Sequence, residues 1–533
     1  MSIERLKMLL LLSLLSIAPI CDSFKILVIN PKFAYSHMNF LGQVADTLVD
    51  AGHDVVTLQP LMSTLFASNG TTKSRLIQVG PSAELNELLR IHHASAVKQD
   101  IWTSSLRNPF ALLAFTTSIN DIIYRTTLDV ISNEKLLQQL KAEKFDVAIT
   151  ELFEFIGFGV LEAINIKNII GVHTITSVME RASTEIGNPV IPSYVPASTG
   201  VTGDSSDFFA RLLNLLFVYT SWKFQSSFAS AAEQAMMEKL GPTATPIWDT
   251  VSNISWLLVN SEPLLDFDRP TLHKIVPIGG LGVRQPKSLS EEWSRILNIR
   301  KRNVLVSFGS VAPTSKMPKE MKQTVLNAIK SHPDITFIWK YDQLDDPTAA
   351  GVENLILSKW TPQTDLLADD RLTLFITHCG AGSMMESATF GKPLVAIPLF
   401  ADQMRNAQLA EKFGFGVIVE KSDLVRGNVL EDSLNSVLND PKYRTAALRM
   451  KNLLGHRPFT PQQKLVKTVE LAAQFGDMPE LKVSGRKLGF VVYYNLDVLA
   501  MLFAIFALMT FVPLYLLYRC SRGRFSDSKL KTQ

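Results

Sequence analysis

Two α/β domains, each built on a parallel β-sheet, and one helix that crosses a membrane form the architecture this sequence predicts. Three observations carry that prediction. Short apolar, β-branched runs recur between helical segments in both halves, as strands buried on both faces do. The chain has 533 residues, 47% of them hydrophobic, which exceeds one ordinary core and suits two domains of roughly 200–250 residues. Near the C-terminus about 20 residues pass without a formal charge.

Taken in order, residues 1–23 carry early charges at Arg5 and Lys7, an apolar stretch over 8–15 and small residues before Ser23. This reads as a cleaved secretory signal, too short to span a bilayer. Residues 24–30 (FKILVIN) form a strand of the buried type, followed by Phe40/Leu41, Val44/Ala45 and Leu48/Val49 at helical spacing, with Ser36 as the expected N-cap. Gly52 ends that helix and 54–58 is the next strand. Residues 146–150 (DVAIT) and 169–173 repeat the strand pattern around an apolar helix over 158–164. Two stretches rich in Phe, Leu and Trp, 101–123 and 208–224, read either as core helices or as an apolar pocket leaning on a membrane. Gly, Pro and Lys concentrate near 277–290, so the first domain is expected over 24–280 and the second over 281–475. Strands of the second are expected at 304–308, 336–339, 355–357, 373–377, 394–397 and 416–419. A juxtamembrane segment, 476–497, then leads to a span over 498–517, bounded by Asp497 and by Arg519, Arg522 and Arg524. With a cytosolic tail at 518–533, the expectation is a type I membrane protein whose domains lie in the lumen.

Composition narrows the function. Lys and Arg number 53 against 50 Asp and Glu, and the net +3 carries no basic run outside the extreme C-terminus, so nucleic acid is not expected as a partner. No G-x-G-x-x-G follows the first strand of either half, which leaves a dinucleotide cofactor unsupported. Of three cysteines, Cys21 falls in the signal and Cys520 in the tail, so no disulfide is expected within the lumenal body. Asn69-Gly-Thr and Asn253-Ile-Ser are glycosylation sequons. Asp266-Phe-Asp268 has the D-x-D form that can hold a nucleotide diphosphate through a divalent cation, but it lies away from any glycine turn. Adjacent His92 and His93 diverge on any regular element, and no metal is expected.

The most informative stretch is 360–403, which reads WTPQTDLLADDRLTLFITHCGAGSMMESATFGKPLVAIPLFADQ. Its strand 373–377 feeds His378-Cys379-Gly380-Ala381-Gly382-Ser383, where two glycines let the backbone approach a ligand and Ser383 is expected to open a helix. The N–H groups and positive dipole of such a helix end suit a diphosphate. No second histidine and acid surround Cys379, which reads as a packing residue.

The motifs W-x-x-Q, H-x-G-x-x-S-x-x-E and D-Q, together with the signal and the anchor, resemble the UDP-glycosyltransferase family, and within it an insect-type, membrane-anchored, UDP-glucuronosyltransferase-like member. The resemblance implies a GT-B fold of two facing Rossmann-like domains, donor in the second and acceptor in the first. Trp360 would stack on uracil, and Gln363 and Glu386 would bind the ribose. His378 and Ser383, with the turn at Gly380 and Gly382, would meet the phosphates. Asp402 and Gln403 would hold sugar hydroxyls, and Ser310 would reach the diphosphate or the transferred sugar. His37 resembles the catalytic base, and the dipole at the start of its helix is expected to keep it neutral. Glu151 stands where the family commonly has an aspartate partner for that histidine, with Glu154 a competitor. Residues 457–461 resemble an R-P-x-x-P segment after which a terminal helix returns before the anchor.

The implied reaction is inverting transfer of a hexose from UDP-glucose or UDP-glucuronate to a hydroxyl of a small lipophilic acceptor, of the conjugating, detoxifying kind. The UDP-sugar is a co-substrate and no cofactor is expected. No arginine is decisive for a glucuronate carboxylate; Arg405 is a candidate only. The alternative is a non-catalytic lumenal protein that binds a UDP-sugar or a lipophile, toward which only the Glu151 departure leans. The sequence leaves open whether the chain forms a homo-oligomer.

Lys529 and Lys531 stand five and three residues from the end, which resembles a K-x-K-x-x retrieval signal and implies residence in the endoplasmic reticulum membrane. Replacing both by serine should release the protein toward the cell surface, as read by surface labelling. Retention of the double variant would place the signal elsewhere.

Overall fold

The computed structural model describes residues 23–63, 67–98, 101–114, 116–203, 207–347 and 350–530, so the expected signal peptide and Lys531 lie outside the described residues. The chain divides into two compact units, Met1–Lys482 and Val483–Gln533.

The first unit contains two sheets in which every neighbouring pair is parallel. Seven strands make the first: β1 (Lys25–Ile29), β2 (Asp54–Pro60), β3 (Arg75–Val79), β4 (Val147–Glu151), β5 (Ile169–His173), β6 (Trp256–Val259) and β7 (Ile275–Pro277), in the order β3-β2-β1-β4-β5-β6-β7. Six make the second: β8 (Arg302–Ser307), β9 (Ile335–Lys340), β10 (Leu355–Ser358), β11 (Leu372–Thr377), β12 (Leu394–Ala396) and β13 (Gly416–Ile418), in the order β10-β9-β8-β11-β12-β13. The central strands are apolar throughout because helices cover both faces: Ile26, Leu27, Val28 and Ile29 of β1 are all fully buried. Strand order reverses between β1 and β4 and again between β8 and β11. Parallel sheets bind ligands outside the carboxyl ends of the strands at such a reversal.

The apolar stretches of the first half divide. Helices Thr116–Ser132 and Phe208–Leu240 bring Ile122, Ile123, Phe224 and Phe228 into one core with Ile156–Ile164, whereas Trp102 enters the core of the second sheet. The helix Pro461–Phe475 packs Leu465, Val469 and Ala472 against Ile26, Val28 and Ile149 of the first sheet, so the chain returns to that sheet after completing the second.

In the second unit Leu496–Leu530 is one helix, with Pro513 inside it. Its stretch Leu496–Ser521 is long and apolar enough to cross a membrane: 26 residues rise about 39 Å against a hydrocarbon core of about 30 Å.

Candidate active site

The first cluster lies where β1, β4 and β5 end. The helix Tyr35–Asp50 follows β1, and its N-cap is Ala34, without a side-chain cap, in place of the expected Ser36. His37 therefore falls in the first turn. Its Nδ1 lies 2.8 Å from Oε1 of Glu151, the last residue of β4, and 2.8 Å from the Thr174 hydroxyl just past β5. Thr174 donates to the same carboxylate oxygen. Phe153 packs on the imidazole at 4.7 Å between ring centroids and Phe33 meets it edge-on.

Burial pushes the His37 imidazole down, but the charge and hydrogen bond of Glu151 outweigh it, with Asp402 acting in the same direction, and the group sits above its ordinary value. This corrects the expectation drawn from the helix dipole: a full charge at hydrogen-bond distance outweighs the half-charge of a helix end. Burial would raise the Glu151 carboxyl, yet the His37 and Thr174 contacts hold it below the usual range. Glu154 bonds neither ring nitrogen of His37; burial and the neighbouring Glu151 charge hold it well above the carboxylate range. His173, fully buried, is pushed down to about 4 by desolvation.

The second cluster lies where β8 and β11 end. Gly309, at φ 82°, and Gly380 enclose His378 so closely that a Cβ on either would come within 2.7 or 2.8 Å of its Nε2. Burial pushes that imidazole down to about 4, so it is neutral at neutral pH. The helix Ala381–Phe390 begins on Gly380 as N-cap; Ser383 is its third residue and does not open it. Gly382 and Ser310 are exposed beside this turn. Gln363 Nε2 donates to Glu386 at 2.5 Å and to the Ser383 hydroxyl at 3.2 Å, while Thr364 donates to the other Glu386 oxygen at 2.5 Å. Trp360 is 61% exposed, with Lys340 Nζ 4.6 Å from its ring centroid and bonded to the Gly309 carbonyl at 3.0 Å. Gln403 Oε1 accepts from Leu399 and Phe400 N–H and so shapes the loop that carries Asp402.

The two clusters are joined. Thr176, beyond β5, donates to Asn406 Oδ1 at 2.7 Å, and Asn406 donates to Asp402 at 3.0 Å. Arg405 is fully buried and pairs with Asp266 at 2.7 Å, which corrects its expected place as a carboxylate ligand for a sugar. Asp266 also binds Arg269, whereas the Asp268 side chain is fully exposed, so the D-x-D carboxylates do not converge. Among the described residues no group of three or more His, Cys, Asp or Glu could hold a metal ion. Cys379 is buried and its thiol is pushed up by desolvation, as befits a packing residue. Asn69 and Asn253 are half-buried; Asn69 Oδ1 accepts from Lys32 and Asn253 Nδ2 donates to the Asp249 carbonyl. Thr174, Lys340 and Asn406 escape sequence reasoning because nothing local distinguishes them from ordinary surface or strand-end residues.

Residues 24–529 match the family described as "UDP-glucoronosyl and UDP-glucosyl transferase". The chain is 27% identical over 495 residues to the putative UDP-glucuronosyltransferase ugt-48 of Caenorhabditis elegans, covering 92% of this chain and 93% of that one. It is 28% identical over 508 residues to human UDP-glucuronosyltransferase 1A5, covering 94% and 92%. Among solved structures, the glycosyltransferase SnogD from Streptomyces nogalater matches with a TM-score of 0.52 at 17% identity, over 85% of this chain and all of that one, and the glycotransferase of kitacinnamycin with 0.55 at 15%, over 85% and 98%. Those two likenesses concern the fold alone, which is GT-B. The chain belongs to the UDP-glucuronosyl and UDP-glucosyl transferase family and is an enzyme that transfers sugar from a UDP-sugar.

Proposed function

We propose that this enzyme transfers glucose or glucuronate, with inversion, to a hydroxyl of a small lipophilic acceptor, and that His37 is the general base. The observation that carries this reading is the 2.8 Å contact between His37 Nδ1 and Glu151 Oε1 at the carboxyl ends of β1 and β4. With Nδ1–H donated to Glu151, Nε2 is the nitrogen that takes the acceptor proton. The freed oxygen attacks the anomeric carbon from the face opposite UDP, the bond to the diphosphate breaks, and UDP leaves with the electron pair. Glu151 stabilises the imidazolium that forms, and Thr174 holds that carboxylate in place. General-base assistance supplies about 10²–10⁴ in rate, and positioning and leaving-group stabilisation supply the rest.

On the donor side, Trp360 stacks on uracil with Lys340 behind it, and Gln363 and Glu386 hold the ribose. His378, Ser383, Ser310 and the turn at Gly380 and Gly382 meet the diphosphate at the N-terminus of Ala381–Phe390, where unpaired N–H groups favour negative charge. Asp402 and Gln403 bind sugar hydroxyls. The pairing of Arg405 with Asp266 removes the guanidinium offered for a glucuronate carboxylate and favours glucose. Phe33 and Phe153 beside His37 suit a lipophilic acceptor of the conjugation type. The apolar helix supports anchoring, with the two sheets in the lumen of the endoplasmic reticulum and glycans at Asn69 and Asn253.

A base must be neutral to act, so kcat/KM should fall on the acid side of a pKa above the ordinary histidine value of 6.5. Removing the Glu151 charge removes the main force that raises that pKa and leaves burial to lower it. Glu151→Gln should therefore move the acid limb to lower pH while cutting the plateau rate. A limb that stays in place detaches Glu151 from the titrating group.

Trp360→Ala should weaken UDP binding by about 1–3 kcal/mol, the scale of one base-stacking aromatic, in calorimetry without added metal. Unchanged affinity would remove Trp360 from the site.

A further inference from the structure

The segment 101–107 belongs to the first half by sequence, between β3 and β4, yet it is seated on the second. Trp102 is 1% exposed and lies within the second core, packed edge-on against Phe308 with ring centroids 5.1 Å apart. Its Nε1 donates to the Pro313 carbonyl at 3.2 Å. These two contacts bracket the loop after β8, in which Gly309 abuts His378 and Ser310 is exposed. The same segment reaches a second loop through Lys421. That ammonium is buried and donates to the Ile101 carbonyl at 2.6 Å, the Ser104 hydroxyl at 3.2 Å and the Leu399 carbonyl at 2.7 Å. Leu399 begins the turn that Gln403 shapes and that presents Asp402.

We propose that residues 101–107 are a strap by which the first half positions the donor site, fixing the loops after β8 and β12 relative to one another. The inference rests on the donor-site reading above. Two loops that close on one ligand must be held at a fixed separation, and neither β8 nor β12 pairs with the other: β11 lies between them. The strap spans that gap with a buried ring on one loop and a carbonyl shared through Lys421 on the other. A shift of about 1 Å in such a loop is enough to weaken binding or turnover severalfold or more. Trp102 and Lys421 are positioning residues in this account, since neither needs to touch the UDP-sugar.

The test uses the full-length protein in membranes or detergent. Trp102→Ala removes the ring, Trp102→Phe keeps an aromatic but loses the bond to Pro313, and Lys421→Met keeps the stem but loses the ammonium. UDP affinity by calorimetry, KM for the UDP-sugar and KM for the acceptor are compared with wild type. The strap predicts that UDP affinity falls and donor KM rises by about three- to tenfold, while acceptor KM stays within about twofold. Equal UDP affinity in the folded Trp102→Phe and Lys421→Met proteins would overturn the strap, as would a parallel rise in both KM values, the mark of a merely structural role. Should Trp102→Ala fail to fold, the other two variants decide. Failure of wild type itself to bind UDP would count against the donor-site reading, a result distinct from wild type and variants binding alike.

Discussion

The hydrogen bond between His37 and Glu151 sets what the rest of the first half must supply. A carboxylate that is almost wholly buried is unfavourable unless it is paired and hydrogen-bonded, and Glu151 has both an imidazole and the Thr174 hydroxyl on one oxygen. Three parallel strands are needed to bring these groups together. The helix after β1 carries His37 in its first turn, β4 ends on Glu151, and β5 leads into Thr174. Because β1 and β4 are neighbours across the reversal of strand order, their carboxyl ends open onto the same crevice. Thr174 fixes the Glu151 oxygen that His37 meets.

The second half must then be held in register with this pair. Asp402 contributes to the electrostatics of His37, so the loop that bears it stands close to the first cluster. Two buried contacts set that register: Thr176 to Asn406, and Asp266 to Arg405. Removing either partner of the buried ion pair would leave an uncompensated charge, which costs about 3–5 kcal/mol. Such contacts resist sliding more than they add stability, and they commit the Arg405 guanidinium to Asp266. The helix Pro461–Phe475, returning to the first sheet, joins the halves again.

Much of this was legible in the residues, for definite reasons. Strands β1, β2, β4, β5 and β8 to β13 are short apolar runs because helices bury both of their faces. Strand β3 (RLIQV) sits at the edge of the first sheet with Arg75 and Gln78 exposed, and so makes no such run. Strands β6 (WLLV) and β7 (IVP) are apolar and no shorter than β10 and β12, and nothing in their length separates them from the strands the pattern marks. His37 and Glu151 stand out through a family resemblance, but the direction in which His37 titrates does not, because it depends on how closely the fold brings a carboxylate from 114 residues away. Arg405 is no more than a candidate from the sequence, because nothing local shows that Asp266, far off along the chain, pairs with it. Thr174, Lys340 and Trp102 act through tertiary neighbours alone, and no local pattern announces them.

The central claim is that His37 and Glu151 work as one unit, and a double-mutant cycle on turnover tests it most directly. Both single variants, His37→Ala and Glu151→Gln, and their combination are assayed at saturating donor, with UDP affinity confirming an intact donor site. Residues that act as a unit are non-additive, so the double variant should lose little more kcat than His37→Ala alone. A double variant whose loss equals the product of the two single losses would contradict the account and leave His37 without its partner.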